Sequence, residues 1–208
     1  QLLMKTNSNA EVNEYGSTGA NFPKVAIIIL NWNGWQDTSE CLESLQRITY
    51  PNYQAIVVDN GSSDGSIEKI KAWARGEIPV ESKFFEYKPD NKPVQWIEYA
   101  RQTAEAGGIP EEEAKLVQFP SNRRVIFIKN GENLGFAGGN NVGIKYALLR
   151  KYPYLCLLNN DTVVDPKFLD FLVKRIESDP LSGIVGGKIY TYNEPKCLWY
   201  AGGHISLL

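Results

Sequence analysis

The sequence predicts an α/β fold with a mostly parallel, Rossmann-like sheet and helices on both faces. Four apolar runs, at 25–30, 55–58, 125–128 and 155–158, are too short for buried helices and contain no charged residue. Unbroken runs of this kind are typical of parallel strands that are covered on both faces. Amphipathic stretches with helical spacing alternate with the runs, and this alternation predicts right-handed βα crossovers.

The composition is that of one globular domain. The chain has 208 residues, of which 43% are hydrophobic, so it can bury one substantial core. Its 22 basic and 24 acidic residues leave a net charge of −2, which argues against nucleic acid as a partner. Three widely spaced cysteines predict reduced thiols rather than a disulfide framework, and a single histidine leaves little material for a Ser/His/Asp triad.

The sequence shows no recognisable targeting or membrane-spanning segment. No apolar run approaches the roughly 20 residues that a transmembrane helix needs, and no secretory signal stands at the start. We therefore expect a cytoplasmic protein, and peripheral association with the inner membrane face stays open. Residues 1–23, rich in Asn, Ser, Thr and Gly, predict a flexible leader before one domain over 24–208.

The first two strands are each followed by polar residues and then by a helix. Asn31-Trp32-Asn33-Gly34 follows the first strand, and Asp37-Thr38 opens an amphipathic helix. Asp59-Asn60-Gly61-Ser62 follows the second strand, and another helix begins near Ile67. We expect Trp32 and Trp35 to pack rather than to stack on a ligand.

The βα pattern lapses between residues 76 and 122. This segment contains five prolines, a net negative charge and a predicted helical piece around 94–106. Its six aromatic residues are too many for a disordered linker. We therefore predict a folded insertion that packs on the main sheet.

The third strand leads into a segment rich in Gly and Asn, 130–143, and then into a helix that ends near Arg150. Glycines permit close approach of the backbone, and the start of a helix offers unpaired N–H donors to an anion. The segment does not match the dinucleotide-binding pattern G-x-G-x-x-G, and the sequence has no P-loop.

The fourth strand ends in Asn159-Asn160-Asp161, and Asp165-Pro166 opens the next helix. In an open parallel sheet, ligands bind at the carboxyl ends of the strands. A carboxylate there can hold a divalent cation, and hard oxygen ligands suit Mg²⁺ or Mn²⁺. Alone, the triplet is better explained as an ordinary strand-to-helix turn. The polar clusters that follow the other three strands shift the balance towards a site.

Four segments in this order resemble the motifs of family 2 glycosyltransferases with the GT-A fold, most closely those of rhamnosyltransferase-like members. The segments are VAIIILNWNG, IVVDNGSSDGS, NLGFAGGNNVGI and LLNNDTVVDP. The resemblance covers roughly residues 25–188 apart from the insertion. It implies an inverting, metal-dependent transferase that moves a sugar from a dTDP- or UDP-linked donor to a glycan or lipid-linked acceptor.

The resemblance also implies which residues form the nucleotide-sugar pocket. Asp59 would hydrogen-bond the base, and the loop from Asn133 to Asn141 would border the diphosphate. Asn159 stands where the family more often has Asp, so Asp161 would carry most of the affinity for Mg²⁺ or Mn²⁺. The nucleotide-sugar-binding set is Asn31, Asn33, Asp59, Asn60, Ser62, Asn133, Gly135, Gly139, Asn141, Asn159 and Asn160.

The catalytic base is not identified by the sequence. In the family it lies beyond the metal motif, in the half that shapes the acceptor pocket. Past Lys188 the only carboxylate is Glu194, in a Tyr-Asn-Glu-Pro turn, and we do not expect it to be the base. We therefore expect the acceptor-side part to lie outside this sequence, and this chain to bind a donor while transferring sugar poorly.

Two other functions are compatible with the same residues. One is a regulatory or interaction domain that binds a nucleotide sugar without transferring it, which the missing base and Asn159 favour. The other is a nicotinamide-dependent oxidoreductase, against which the absent dinucleotide fingerprint argues.

Overall fold

The computed structural model describes residues 2–6 and 22–202, and its main feature is a seven-stranded sheet with helices on both faces. The strands are β1 (Leu2–Lys5), β2 (Val25–Asn31), β3 (Tyr53–Asp59), β4 (Gln95–Ala100), β5 (Arg124–Lys129), β6 (Tyr154–Asn159), β7 (Ile184–Gly186), β8 (Ile189–Tyr190) and β9 (Leu198–Tyr200). The helices are α1 (Trp35–Leu45), α2 (Ser66–Arg75), α3 (Arg101–Glu105), α4 (Pro110–Leu116), α5 (Gly135–Leu149) and α6 (Phe168–Glu177).

The strand order in the large sheet is β4-β5-β3-β2-β6-β1-β7. The five strands from β4 to β6 in this order pair in parallel, and β1 is antiparallel to both of its neighbours. β8 and β9 form a separate antiparallel pair. The predicted α/β class and mostly parallel sheet are therefore confirmed. From β2 the chain runs to β3, then to β4 at the edge of the sheet and back to β5 between them. It then returns to β6 on the other side of β2, so the topological switch point lies between β2 and β6.

Two apolar cores lie on opposite faces of the sheet. Ile27 points to the face covered by α1, α2 and α6, and it is buried with Ile70 and Leu169. Ile28 points to the other face, where it is buried with Tyr146 of α5. This alternation along β2 explains the unbroken apolar run, because a strand covered on both faces has no polar side. In the part of the chain that the structure describes, no helix has the length and hydrophobicity to cross a bilayer.

Helix α5 lies unusually close to β2 because it carries glycine at two positions one turn apart. A Cβ atom at Gly139 would lie 2.4 Å from Leu30 Cδ1, and one at Gly143 would lie 2.7 Å from Ile28 Cγ2. Neither position can hold a larger side chain unless the helix moves away from the sheet. The close approach brings the amino-terminal end of α5 to the carboxyl ends of β2 and β3.

The expectation of a flexible leader over 1–23 is wrong for its first residues. Leu2–Lys5 form β1, which lies between β6 and β7 in the large sheet, and Leu3 is fully buried. The short run Leu2-Leu3-Met4 gives little sequence signal, but the free edge of β6 supplies the backbone partners that make it a strand. Residues 7–21 lie outside the described part of the chain.

The predicted helix at 94–106 is also wrong in its first half. Gln95–Ala100 form β4, which pairs in parallel with β5 at the edge of the large sheet, and only Arg101–Glu105 are helical, as α3. The apolar residues of 94–106 fit either period, and pairing with β5 decides between them. The segment 76–122 thus extends the main sheet by one strand, while Tyr99 and Leu116 join the core on the α5 face.

Candidate functional site at the carboxyl ends of the strands

The candidate site lies at the switch point, where strand ends with polar side chains stand side by side. In the sheet register Asn31 of β2 is opposite Asp59 of β3, and Leu30 is opposite Asn159 of β6. The crevice outside the carboxyl ends at a switch point is the usual ligand position in sheets of this kind. The structure therefore brings together the polar ends of β2, β3 and β6, which are separate in sequence.

Asn31 is the central side chain of this cluster, and it is fully buried. Its Nδ2 donates to Asp59 Oδ1 at 2.8 Å and to Ser62 Oγ at 3.0 Å, and its Oδ1 accepts from Thr38 Oγ1 at 2.8 Å. Both amide hydrogens are thus used within the protein. Asn31 lies behind Asp59 and Ser62 rather than at the surface, so it acts on a ligand only through them.

Asp59 and Ser62 are the members of the cluster that retain hydrogen-bonding capacity. Asp59 is 6% exposed, and its Oδ2 accepts from the Ser62 backbone N–H at 3.2 Å. Ser62 Oγ accepts both from Asn31 and, at 2.9 Å, from the backbone N–H of Asn33. Two accepted bonds use both lone pairs of the hydroxyl, so its hydrogen is available to an acceptor on a ligand. The carboxylate of Asp59 has acceptor sites left for a ligand N–H.

Asn33 joins the loop after β2 to the loop after β3. Its side-chain Oδ1 accepts from the Ser63 backbone N–H at 2.8 Å, and its backbone has a φ of 49°. This left-handed conformation is one that Asn adopts more readily than most residues. Asn33 is exposed at the surface of the site.

Asn60 fixes the polar segment that precedes α5. Its Nδ2 donates to Asn133 Oδ1 at 2.8 Å and to the Gly135 carbonyl at 3.2 Å. Its Oδ1 accepts from Asn130 Nδ2 at 3.0 Å and from the Leu134 N–H at 3.1 Å. One buried side chain therefore makes four hydrogen bonds to 130–135 and holds the start of α5 beside the end of β3.

The expectation that Asn133 to Asn141 forms a loop is wrong beyond Leu134. The helix begins at Gly135, so Gly139 and Asn141 belong to its first two turns. Gly139 is buried against Leu30, whereas Gly135 and Asn141 are exposed. Asn133 is exposed and its Oδ1 also accepts from the Gly135 N–H at 2.8 Å.

At the end of β6, the three polar residues have different environments. Asn159 is exposed, while Asn160 Nδ2 donates to Thr38 Oγ1 at 3.2 Å and to the Gly34 carbonyl at 3.4 Å. Asp161 is exposed, and no hydrogen bond or ion pair to it is found in the described ranges 2–6 and 22–202. Partial burial and the negative charges of Asp161 and Glu40 together raise the pKa of the Asp37 carboxyl.

The carboxylates around Asp161 fit a cation that is shared with a bound diphosphate. No group of three or more His, Cys, Asp or Glu side chains among the described residues is placed to enclose a metal by itself. Mg²⁺ is commonly held by one or two carboxylates together with substrate phosphates, because it keeps much of its own coordination shell. Asp161 is the exposed carboxylate that would hold such a cation, and its charge is one cause, after burial, of the raised pKa of Asp37.

Several neighbouring residues have structural roles. Asp64 Oδ1 accepts from the Ser66 N–H at 2.9 Å before α2, and Asp165 Oδ1 accepts from the Lys167 N–H at 2.8 Å before α6, but the N-cap residues of these helices are Gly65 and Lys167 rather than the two aspartates. Trp35 packs against the core as expected. Trp32 does not: it is 56% exposed, and the packing role predicted for it is wrong.

Sequence reasoning missed the role of Thr38, which it interpreted only as part of a helix start. Thr38 is fully buried on the first turns of α1 and hydrogen-bonds both Asn31 and Asn160. A hydroxyl residue a few positions after a polar strand end is a weak sequence signal, since the same pattern is common at ordinary helix starts.

The fold and site together define an α/β domain with a polar, carboxylate-bearing crevice at its switch point. The chain belongs to glycosyl transferase family 2, whose family match covers residues 26–98 and 108–203. The parallel sheet and the position of the crevice are consistent with the GT-A fold that the sequence resemblance implies.

Individual relatives match this chain at low sequence identity. Hyaluronan synthase 2 of Rattus norvegicus is 25% identical over 159 residues, which are 74% of this chain and 27% of that protein. Hyaluronan synthase 2 of Gallus gallus is 23% identical over 159 residues, with the same coverage. The chain thus spans about a quarter of the length of the curated relatives it matches.

Two solved structures are similar in part. A mannosyltransferase from Pyrobaculum calidifontis, in complex with GDP-Man and Mn²⁺, has a TM-score of 0.47 at 17% identity and covers 77% of this chain and 34% of its own. TarS of S. aureus has a TM-score of 0.45 at 15% identity and covers 74% of this chain and 20% of its own.

Proposed function

We propose that this domain binds a nucleoside-diphosphate sugar together with Mg²⁺ or Mn²⁺, and that it serves sugar transfer to a hydroxyl of a cell-surface glycan. The four motifs that resemble rhamnosyltransferase-like sequences favour a dTDP-rhamnose donor or a UDP-sugar. Membership of glycosyl transferase family 2 supports the reaction class.

The observation that carries the proposal is that the two sides of the crevice present different groups to a ligand. On one side, Asp59 offers acceptor capacity and Ser62 a free hydroxyl hydrogen, both held in place by buried Asn31. On the other side, Asp161 presents an exposed carboxylate without a protein partner among the described residues. A nucleoside fits the first set by hydrogen bonds, and the diphosphate reaches the second through a cation.

Electrostatics explain why a cation is needed between the protein and the diphosphate. Burial, and then the charges of Asp161 and Glu40, raise the pKa of Asp37, so several carboxylates lie near one another on this side of the crevice. A diphosphate would be repelled there unless a divalent ion neutralised the facing charges. Such an ion would also stabilise the negative charge that develops on the leaving diphosphate.

In the reaction itself, the bond between the anomeric carbon and the diphosphate oxygen breaks, and its electron pair stays on the diphosphate. The acceptor oxygen forms a new bond to the anomeric carbon from the opposite face, and its proton passes to a base. The described residues supply donor binding, namely Asp59 and Ser62 for the nucleoside and Asp161 for the cation. The start of α5, fixed by Asn60, offers backbone N–H groups near the same crevice.

Titration calorimetry of UDP and dTDP with and without Mn²⁺ tests the proposal. The wild-type chain should bind one of these nucleotides more tightly with Mn²⁺, and Asp161→Asn should abolish the gain from the metal while leaving metal-free affinity unchanged. Asp165→Asn is the matched control, because Asp165 is an exposed carboxylate in the same loop and the amide keeps its bond to the Lys167 N–H.

Three outcomes are informative. An unchanged metal effect in Asp161→Asn would refute the assignment of Asp161. Absence of binding by the wild-type chain to any nucleoside diphosphate or nucleotide sugar would remove the proposed function. Efficient release of nucleoside diphosphate in the presence of acceptors would contradict the expectation that this chain transfers sugar poorly.

A further inference from the structure

Thr38 joins the two halves of the candidate site through a continuous chain of buried hydrogen bonds. The chain runs from Asn160 to Thr38 at 3.2 Å, from Thr38 to Asn31 at 2.8 Å and from Asn31 to Asp59 at 2.8 Å. It crosses three strand ends, β6, β2 and β3, through a residue of α1. Asp59 lies on the nucleoside side of the crevice, and Asn160 directly precedes the carboxylate on the metal side.

The direction of every bond in the chain follows from the chemistry of its members. The oxygen of Asn31 can only accept, so the Thr38 hydroxyl must donate to it. The nitrogen of Asn160 can only donate, so it donates to the Thr38 oxygen. Asn31 then donates to the carboxylate of Asp59. All bonds point the same way and end on a negative charge, an arrangement in which each bond polarises and strengthens the next.

Burial makes each hydrogen bond of this arrangement costly to lose. Asn31 and Thr38 are both fully buried, and Asp59 is 6% exposed, so water does not replace a bond that is lost. If the Thr38 hydroxyl is removed, Asn31 loses the partner of its oxygen and Asn160 loses its shorter bond, leaving only the Gly34 carbonyl at 3.4 Å. Asn31 would keep its bonds to Asp59 and Ser62 but with an unsatisfied oxygen, and Asn160 would be held only by the longer bond.

We propose that Thr38 is a positioning residue that couples nucleoside binding at Asp59 to cation and diphosphate binding at the Asn160-Asp161 end of β6. The proposal rests on the proposed donor site and goes beyond it, since it assigns a role to a residue that touches neither ligand. Occupancy on the nucleoside side changes how strongly Asp59 accepts from Asn31, and this change passes through Thr38 to Asn160, which orients the following Asp161 for the cation.

The test compares three variants of the full chain, two at Thr38 and one at the neighbouring Ser39. Thr38→Val removes the hydroxyl at nearly constant volume, and Thr38→Ser keeps it. Ser39→Ala is the matched control for α1, because Ser39 is 1% exposed and its Oγ has no hydrogen-bond partner among the described residues. For each variant, the affinity for UDP or dTDP is measured by calorimetry with and without Mn²⁺, and the melting temperature is recorded.

In Thr38→Val we expect the affinity gain from Mn²⁺ to fall by about tenfold, which corresponds to one hydrogen bond of about 1.4 kcal/mol. Thr38→Ser should restore most of the gain, and Ser39→Ala should behave as the wild type. If Thr38→Val lowers only the melting temperature and leaves the metal effect unchanged, Thr38 is a packing residue and the inference is overturned. If the wild type binds no nucleotide under any condition, the proposed function and this inference fail together.

A double-mutant cycle gives a second, sharper readout. Asp59→Asn and Asn160→Ala do not share a contact, so without coupling their effects on nucleotide affinity in Mn²⁺ should be additive. When Thr38 is present and the chain of hydrogen bonds is intact, we expect a deviation from additivity of at least about threefold. In the Thr38→Val background we expect that deviation to vanish. Additive effects in the wild-type background, in a protein that does bind nucleotide, would overturn the inference alone.

Discussion

The ammonium group of Lys92 lies 2.7 Å from a carboxylate oxygen of Glu43, and both side chains are almost completely buried. Glu43 belongs to α1, and its Oε2 also accepts from Trp73 Nε1 of α2 at 3.0 Å, while Lys92 lies in the insertion 76–122. Burial lowers the pKa of Lys92, and the bond to Glu43 opposes this effect. The pair therefore ties the insertion to the helices that follow β2 and β3.

Replacing Lys92 with Met should destabilise the protein by about 1.5–3 kcal/mol, because buried Glu43 loses a charge-assisted hydrogen bond and keeps only Arg47, at 3.3 Å, as an ion-pair partner. The free energy of unfolding in urea measures this effect. Arg75→Met is the control, since Arg75 pairs with Glu77 at 2.6 Å on the surface and such pairs contribute about 1 kcal/mol or less. Similar losses in the two variants would contradict a special role for the buried pair.

The insertion should resist proteolysis as long as the ion pair is intact. Four of its six aromatic residues are packed, with Phe85, Tyr87 and Trp96 against the core on the α1 and α2 face and Tyr99 in the core on the α5 face, whereas Phe84 and Phe119 are exposed. Limited trypsin digestion should leave 76–122 uncut in the wild type and should cut it faster in Lys92→Met. Rapid cutting throughout this segment in the wild type, with the rest of the chain surviving, would show that the insertion is a mobile lid.

Asp59→Asn should weaken nucleotide binding by about one to two decades whether or not Mn²⁺ is present. The amide keeps an acceptor for Asn31 but loses the charge, and a hydrogen bond to a charged group is worth about 1.5–3 kcal/mol. Calorimetry of wild type and variant, with and without Mn²⁺, measures the loss of affinity under both conditions. A loss seen only in the presence of Mn²⁺ would move Asp59 from the nucleoside to the diphosphate.

Gly143→Ala should destabilise the protein although alanine is the better helix former. The new Cβ would lie 2.7 Å from Ile28 Cγ2 and 3.1 Å from Val58 Cγ2, so α5 would have to move away from the sheet. Overpacking costs about 1–3 kcal/mol, against a gain in helix propensity of about 1 kcal/mol. Gly183→Ala is the control for thermal unfolding, because no atom of the residues that the structure describes lies within 4 Å of the added carbon. A more stable Gly143→Ala would show that the helix and sheet have room to adjust.

Stability should decline between about pH 10 and pH 12 partly through Tyr99. Burial raises the pKa of Tyr99 to about 12, from an ordinary value of 10.0. The unfolded chain therefore loses this proton first, and the folded state loses relative stability as the pH rises through that window. Urea unfolding of wild type and Tyr99→Phe across this range measures the effect, and we expect the wild type to lose more stability than the variant. Parallel curves would exclude a contribution from Tyr99.

The parallel centre of the fold could be predicted because β2, β3, β5 and β6 each contain an uninterrupted apolar run of at least four residues. The strands β1 and β4, towards the edges of the sheet, could not be predicted. β1 has only three apolar residues, and the apolar spacing in β4 suits a helix equally well, so in both cases the partner strand decides the outcome. Partners of this kind are distant in sequence and leave no local signal.

The candidate site, like the fold, could be predicted only in part from the sequence. The polar residues at the strand ends could be found because each follows an apolar run directly. What the sequence could not show is which of them face a ligand, since Asn31 and Asn33 look alike in sequence but the structure buries the first and exposes the second. Thr38 was missed for the same reason, because its two partners lie 7 and 122 positions away.

The position of β1 has a consequence for the order of folding. Thr6, directly after β1, donates from Oγ1 to the carbonyl of Pro153, 147 positions along the chain, whereas Asn31 and Asp59, on neighbouring strands, are 28 positions apart. Closing the longer loop costs about 1.4 kcal/mol more entropy, and long-range pairings slow folding. β2 and β3 should therefore pair early and β1 should join last. Until it does, β6, the strand that ends in Asn159-Asn160-Asp161, has an open edge that another chain could occupy.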